Sequence, residues 1–317
     1  MTQNKRKILT NPVAVSLLAM ICCALWGSAF PGIEKGYRLF RIAPGDARTQ
    51  ILFAGCRFLL AGTLTVLFGS LAEKKVLHPR KGSWRRILPL ALFQTALQYT
   101  FFYIGLAHAG GVKSSIIGGS GVFITILISC LVFRQEKLTA RKTIGCALGF
   151  TGVVLVNLGG GGLNFSMSFL GEGFVFLSAV AAALSSVLIR DYSRHDDPVM
   201  LSGYQFFCGG LFLLLFGFFT GGRITHITGP GLAVLGYLAF LSAAAYAIWS
   251  ILLKHNPVSK VAVWGFVNPI VGVVLSIVLM GETGRASGPQ ILAALLLVSL
   301  GIYTVNRPSA AVLPSGQ

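Results

Sequence analysis

Acidic residues are scarce in this chain: nine of 317, with acids and bases together making up 11%. A water-soluble domain carries about a quarter charged residues. With 54% hydrophobic residues and a mean hydropathy of +0.77, a single soluble core is excluded. Catalytic signatures are also missing. There is no HExxH, no GxxxxGK, no GxSxG and no CxxC, so the spacings that build a zinc site, a phosphate loop, a nucleophile elbow or a redox pair do not occur. His78, His108, His195, His226 and His255 fall in loops or at the ends of apolar runs. The six cysteines, Cys22, Cys23, Cys56, Cys130, Cys146 and Cys208, lie inside apolar runs and read as small packing residues. No catalytic residue, metal ligand or cofactor is implied.

What the chain has in abundance is apolar runs of about 20 residues, the length that crosses a bilayer. They recur at 12–33, 49–71, 87–107, 112–133, 140–158, 169–189, 199–220, 230–253, 259–280 and 288–306. The expected fold is an all-α membrane protein with ten transmembrane helices. A net charge of +17 raises the question of nucleic acid, but the basic residues sit between spans. Lys5, Arg6 and Lys7, the loop from Lys74 to Arg86, and Arg134, Lys137, Arg141 and Lys142 all fall on one predicted side. That is the bias of cytoplasmic loops. Lipid is therefore the expected partner, nucleic acid is not, and both termini are expected in the cytoplasm. The first run, which contains Trp26 and Pro31, is too long for a cleaved signal and reads as an uncleaved span.

The chain also repeats itself. Phe58, Gly62, Leu67, Phe68 and Gly69 align with Phe206, Gly210, Leu215, Phe216 and Gly217; one register shift later, Phe93, Ala96, Tyr99, Leu106, His108 and Lys113 align with Phe240, Ala243, Tyr246, Leu253, His255 and Lys260. Such internal repetition in an apolar chain marks a secondary transporter built from two halves. Five spans per half is odd, so the second half enters from the opposite side and the repeats are inverted. The expected organisation is a first five-helix repeat over 1–158, a Gly-rich external linker over 159–168 and a second repeat over 169–317. The linker carries four consecutive glycines, Gly159 to Gly162. Without a nucleotide site, transport has to draw on a gradient.

Trp26-Gly27-Ser28-Ala29-Phe30, Arg57-Phe58-Leu59-Leu60-Ala61, Glu136-Lys137-Leu138, the glycines Gly145, Gly149 and Gly152, and Gly171-Glu172-Gly173, Pro269, Glu282 and Gly301 follow in an order that resembles the drug/metabolite transporter superfamily, in particular its bacterial EamA-type branch. The resemblance covers roughly 12–306. It implies a multi-pass protein of the plasma membrane, the bacterial inner membrane, whose ten helices surround a cavity lined by spans 1, 3, 4, 6, 8 and 9. It also implies export of small metabolites such as amino acids by alternating access. Gly121, Ser185 and Gln205 depart from the family pattern, Gln205 replacing the basic partner of Arg57.

Candidate cavity residues are Trp26, Gln94, Gln98, Tyr99, Tyr246, Trp249, Trp264 and Asn268. Gln94 and Gln98 share a helical face and serve either a polar solute or a neighbouring helix. Tyr99 and Tyr246, being repeat mates, are expected to face each other across a pseudo-twofold axis. The tryptophans line a cavity or a lipid interface. Arg57, inside span 2, costs about 2.5–3.5 kcal/mol unless paired or wet; it anchors an anionic group of the solute, pairs with helix ends or snorkels. Glu172 favours the N-terminus of span 6 electrostatically. Glu136 and Glu282 are expected to cap helices or pair with Lys137 and Arg285. Gly121 and Pro269 read as packing and hinge positions. A channel and a polytopic membrane enzyme remain the rival readings, and neither monomer nor homodimer is favoured.

Overall fold

A computed structural model describes residues 3–109, 111–157, 168–280 and 287–307. Those residues form helices and short connections, with no strand among them. Helix α1 (Gln3–Thr10) is followed by α2 (Pro12–Phe40), α3 (Ala47–Glu73), α4 (Lys81–Ala109), α5 (Lys113–Val132), α6 (Ala140–Asn157), α7 (Phe169–Tyr192), α8 (Pro198–Phe219), α9 (Gly229–His255), α10 (Val258–Leu279) and α11 (Gly288–Asn306). Among the described residues, nine of these helices are long and apolar enough to cross a membrane. Helix α6, the fifth predicted span, has 18 residues but stands outside that group, because Arg141 and Lys142 in its first turn and Asn157 at its end lower its hydropathy. Residues 159–167 of the predicted linker, like Glu282 and Arg285, lie outside the described residues.

Helix starts follow local chemistry. Asn11 accepts from the amides of Val13 and Ala14 ahead of Pro12, and Asp197 does the same for Val199 and Met200 ahead of Pro198. Each satisfies donors that have no partner within the helix. Ser287 and Gln290 form a capping box at α11. At the other ends of α2 and α3, Arg41 and Lys74 take left-handed conformations, with φ of 54° and 53°.

The exterior differs from that of a soluble protein, although the core is also largely apolar. Large apolar side chains face outward, Phe219 at 79% exposure and Leu71 at 65%, while Arg57, Gln94, Thr95, Gln205 and Ser242 are buried. An apolar exterior of this extent belongs in lipid.

Glycines set the closest helix contacts. In α3, a Cβ on Gly62 would meet the Phe207 amide nitrogen at 2.5 Å, and in α8, a Cβ on Gly210 would meet that of Leu59 at 2.5 Å. Gly55 lies on Leu214 and Gly217 on Leu52. Positions rising along α3 meet positions falling along α8, so the two helices run antiparallel. Gly145 and Gly152 of α6 meet Gly301 and Val298 of α11 in the same sense. Small residues of this kind let backbones approach where lipid supplies no hydrophobic drive.

Among the described residues, helix geometry departs from the regular α form at five places, the first being a 3-10 turn over Lys81–Ser83 that opens α4. Wide π-type turns occupy Ala91–Leu97, Ile128–Val132 and Phe169–Gly173, and a tight 3-10 turn occupies Val263–Phe266. Pro269 follows that last turn. It has no N–H to bond back to Gly265 and its ring crowds the preceding turn.

Candidate solute site between α3, α4, α8 and α9

Tyr99 on α4 and Tyr246 on α9 meet through their hydroxyls at 3.0 Å. Around them the aromatics are arranged in mated pairs. Phe58 lies 4.3 Å from Tyr99, Phe206 lies 4.8 Å from Tyr246, and Phe58 stacks on Phe206 at 5.2 Å between ring centroids. Phe58 and Phe206 align in the repeat just as Tyr99 and Tyr246 do. The four rings therefore close one face of the contact between α3–α4 and α8–α9.

Trp26 extends this cluster, with ring centroids 5.0 Å from Tyr246 and 4.9 Å from Trp249. Its indole Nε1 is buried without a partner. Gln98 lies beside the Tyr246 hydroxyl. Gln94, 3% exposed, leaves its Oε1 without a hydrogen bond. Trp264, like Trp26, packs on the cluster that contains Trp249 and also on a second one that contains Phe266, its carbonyl accepting from Cys23 Sγ at 3.1 Å, while Asn268 Oδ1 is buried and unpartnered. Gly121 contacts Ala179 of α7 at ordinary van der Waals distance, 3.5 Å from a built Cβ.

Two polar links flank the aromatics. Arg57, 2% exposed, donates from Nε and Nη2 to Ser242 Oγ at 3.0 and 2.8 Å and from Nε to the Leu238 carbonyl at 3.3 Å. Its guanidinium stands 5.0 Å from the Phe58 ring centre. Arg57 therefore neither snorkels nor pairs with a helix end; it crosses from α3 to the middle of α9. On the other side, Thr95 Oγ1 of α4 donates to Gln205 Oε1 of α8 at 2.7 Å. In the repeat register Gln205 is the mate of Arg57, and Ser242 is the mate of Thr95.

Ion pairs hold the helix ends. Glu172 accepts from Lys113 Nζ at 2.7 Å and from the amide of the N-cap residue Ser168 at 2.8 Å, which joins α5 to the first turn of α7. At the opposite ends, Glu136 pairs with Lys142 at 2.8 Å and Arg190 at 3.6 Å and accepts from the Ser259 amide and hydroxyl at the start of α10. Lys137, the expected partner, contributes only its carbonyl, to Lys142. Burial acts to raise the Glu136 carboxyl, but hydrogen bonds from Lys142 and Ser259 outweigh it and hold the group below the usual carboxylate range. Beside this cluster, a groove of about 780 Å³ is lined by Cys130, Leu131, Arg134, Gln135 and Glu136, at the end of α5 and not among the aromatics.

Phe58, Phe206, Thr95, Ser242 and Tyr103 were not singled out from sequence, although the repeat register held the signal. Phe58 and Phe206 were already aligned, and Thr95 and Ser242 occupy matched positions between Phe93–Phe240 and Ala96–Ala243.

Comparison with known proteins agrees with this architecture. The EamA-like transporter family model matches twice, over residues 14–158 and 169–307. An uncharacterized transporter of Bacillus subtilis, YvbV, is 30% identical over 93% of this chain and 92% of its own. The uncharacterized inner membrane transporter YedA of Escherichia coli K12 is 28% identical over 88% of each chain. A solved crystal structure, 19% identical, superposes with a TM-score of 0.74 over 93% of this chain and 96% of that one, which concerns the fold alone. The chain is a multi-pass membrane protein that belongs to the EamA-like transporter family.

Proposed function

We propose that this membrane transport protein is a secondary carrier that exports small metabolites such as amino acids across the plasma membrane by alternating access. In this reading α2–α6 and α7–α11 are two inverted five-helix repeats, covering 1–158 and 169–317, with residues 159–168 as an external linker. Antiparallel packing of the aligned helices α3 and α8 supports inversion. So does the pairing of α6, as a tenth span, with α11.

One observation carries the functional reading. Tyr99 and Tyr246, mates in the repeat, close on each other at 3.0 Å among buried polar atoms that lack partners, Trp26 Nε1, Gln94 Oε1 and Gln205 Nε2. An unsatisfied buried donor or acceptor costs about 1–3 kcal/mol. A polar solute entering when the halves part would satisfy such groups, and aromatic walls would hold its apolar body.

Counterflow of radiolabelled amino acids in proteoliposomes tests this. A carrier gives saturable uptake stimulated by the same solute on the far side, and expressing cells retain less of that solute. Tyr99→Ala and Tyr246→Ala should lower this transport about tenfold, the scale of one lost charge-free contact of ~1.4 kcal/mol, at unchanged membrane abundance. Flux that rises without saturating would indicate a channel-like facilitator, and chemical change of the solute would indicate an enzyme. Loss of protein in step with loss of flux would make the tyrosines core residues.

A further inference from the structure

Arg57 is a buried cation with no counter-ion: among the described residues no carboxylate forms an ion pair with it. Its only hydrogen-bond acceptors there are neutral, Ser242 Oγ and the Leu238 carbonyl, and Nη1 makes no hydrogen bond. A guanidinium stays charged throughout the physiological range and presents a planar fork suited to a carboxylate. Within a membrane such a charge marks function by default.

A purely structural role does not need the charge. The mated link, Gln205 to Thr95, joins α8 to α4 with a neutral amide at 2.7 Å. If joining helices were the whole purpose, the same chemistry would serve at position 57. A second departure from symmetry falls in the same place. Tyr103, 1% exposed, has a hydroxyl without a hydrogen-bond partner, whereas its repeat mate Ser250 is bonded to Ser202 at 2.8 Å. The Tyr103 hydroxyl lies beside the Arg57 guanidinium and the hydroxyls of Tyr37 and Tyr99, yet outside hydrogen-bond geometry with each of them. Tyr37 Oη is likewise buried and unpartnered.

We infer that Arg57 and Tyr103 bind the carboxylate of the transported solute, so that the substrates are small carboxylates with an apolar body. The inference rests on the carrier reading and narrows its substrate class. The guanidinium supplies the charge and a free edge, Tyr103 supplies an O–H donor that the fold leaves unused, and Phe58, Phe206, Tyr99 and Tyr246 face the apolar remainder. A carboxylate there offsets a cation that the protein itself leaves uncompensated.

Matched pairs of ligands separate charge from shape. Purified protein is titrated with 3-phenylpropionate against 3-phenylpropionamide, and with L-phenylalanine against L-phenylalaninamide, following the thermal midpoint. The acids should stabilise at concentrations at least tenfold lower than the amides, as expected when a charge-assisted hydrogen bond is replaced by a neutral one. Arg57→Gln, which copies the mated position, should abolish this preference while the protein elutes as wild type. Arg57→Lys, which keeps the charge without the fork, guards against misfolding of the first variant and should retain part of the preference. Tyr103→Phe should weaken the acids and leave the amides unchanged. Amides binding as well as the acids, a preference that survives Arg57→Gln, or no response to either acid would overturn the inference. Saturable counterflow of the amides with no acid preference would do so while sparing the carrier reading. Acid binding that depends on Arg57, without any counterflow, would overturn the carrier reading and spare the anion site.

Discussion

A charge inside a membrane protein is informative in proportion to what fails to neutralise it. Glu136 is the neutralised case: Lys142, Arg190 and Ser259 converge on it, and its carboxyl is held below the usual range despite burial. A depressed folded-state value means that the stabilisation is present above the unfolded value of 4.5 and is lost as pH falls through the folded one. Melting in detergent should therefore weaken below pH 4.5 in the wild type. Glu136→Gln should remove about 1.5–3 kcal/mol, the worth of a hydrogen bond to a charged group, and flatten that acid limb. An unchanged limb in the variant would assign the acid sensitivity to another carboxylate. The sequence placed Glu136 at a helix end, there to cap a helix or to pair with Lys137. Neighbours in sequence cannot reveal that Lys142, in the first turn of α6, reaches back while Ser259 arrives from 123 residues away.

Helix existence was legible at the level of elements because a bilayer imposes length and apolarity, and both are written locally. Interruptions were not. The wide turn at Ala91–Leu97 brings Thr95 against Gln205, yet its residues are ordinary helix formers and no periodicity announces it. Glycine contacts were only partly legible. Gly62 and Gly210 were matched as repeat mates, but only the packed structure shows that each admits the other helix's backbone. Gly62→Leu should destabilise by more than about 1–3 kcal/mol, the usual scale of overpacking, because its Cβ would lie 2.5 Å from a backbone nitrogen that cannot rotate away. Gly121→Ala is the contrasting case. With 3.5 Å to Ala179 Cβ it should melt within a few tenths of a kcal/mol of the wild type or gain up to about 1 kcal/mol from helix propensity. Thermal midpoints of the two variants check both statements, and equal losses would remove the distinction between backbone and side-chain contact.

For the whole molecule, orientation is the property with the widest reach, since inversion is what would set two unlike faces around one seam. The proposed topology predicts that a cysteine replacing Gly160 is labelled by an impermeant thiol reagent in intact cells, while one replacing Lys75 is labelled only after lysis. The opposite pattern would reverse the orientation. From sequence alone followed the bilayer, the helices, the duplication and the meeting of Tyr99 with Tyr246, because hydropathy and repetition are carried by the order of residues along the chain. Only the tertiary structure decided that Arg57 is held by neutral groups, that Gln205 makes the mated link without a charge, and that the hydroxyl of Tyr103 goes unused. Whether a polar group is satisfied depends on distant partners, 185 residues away for Arg57 and Ser242, and that distance is closed only when the helices pack.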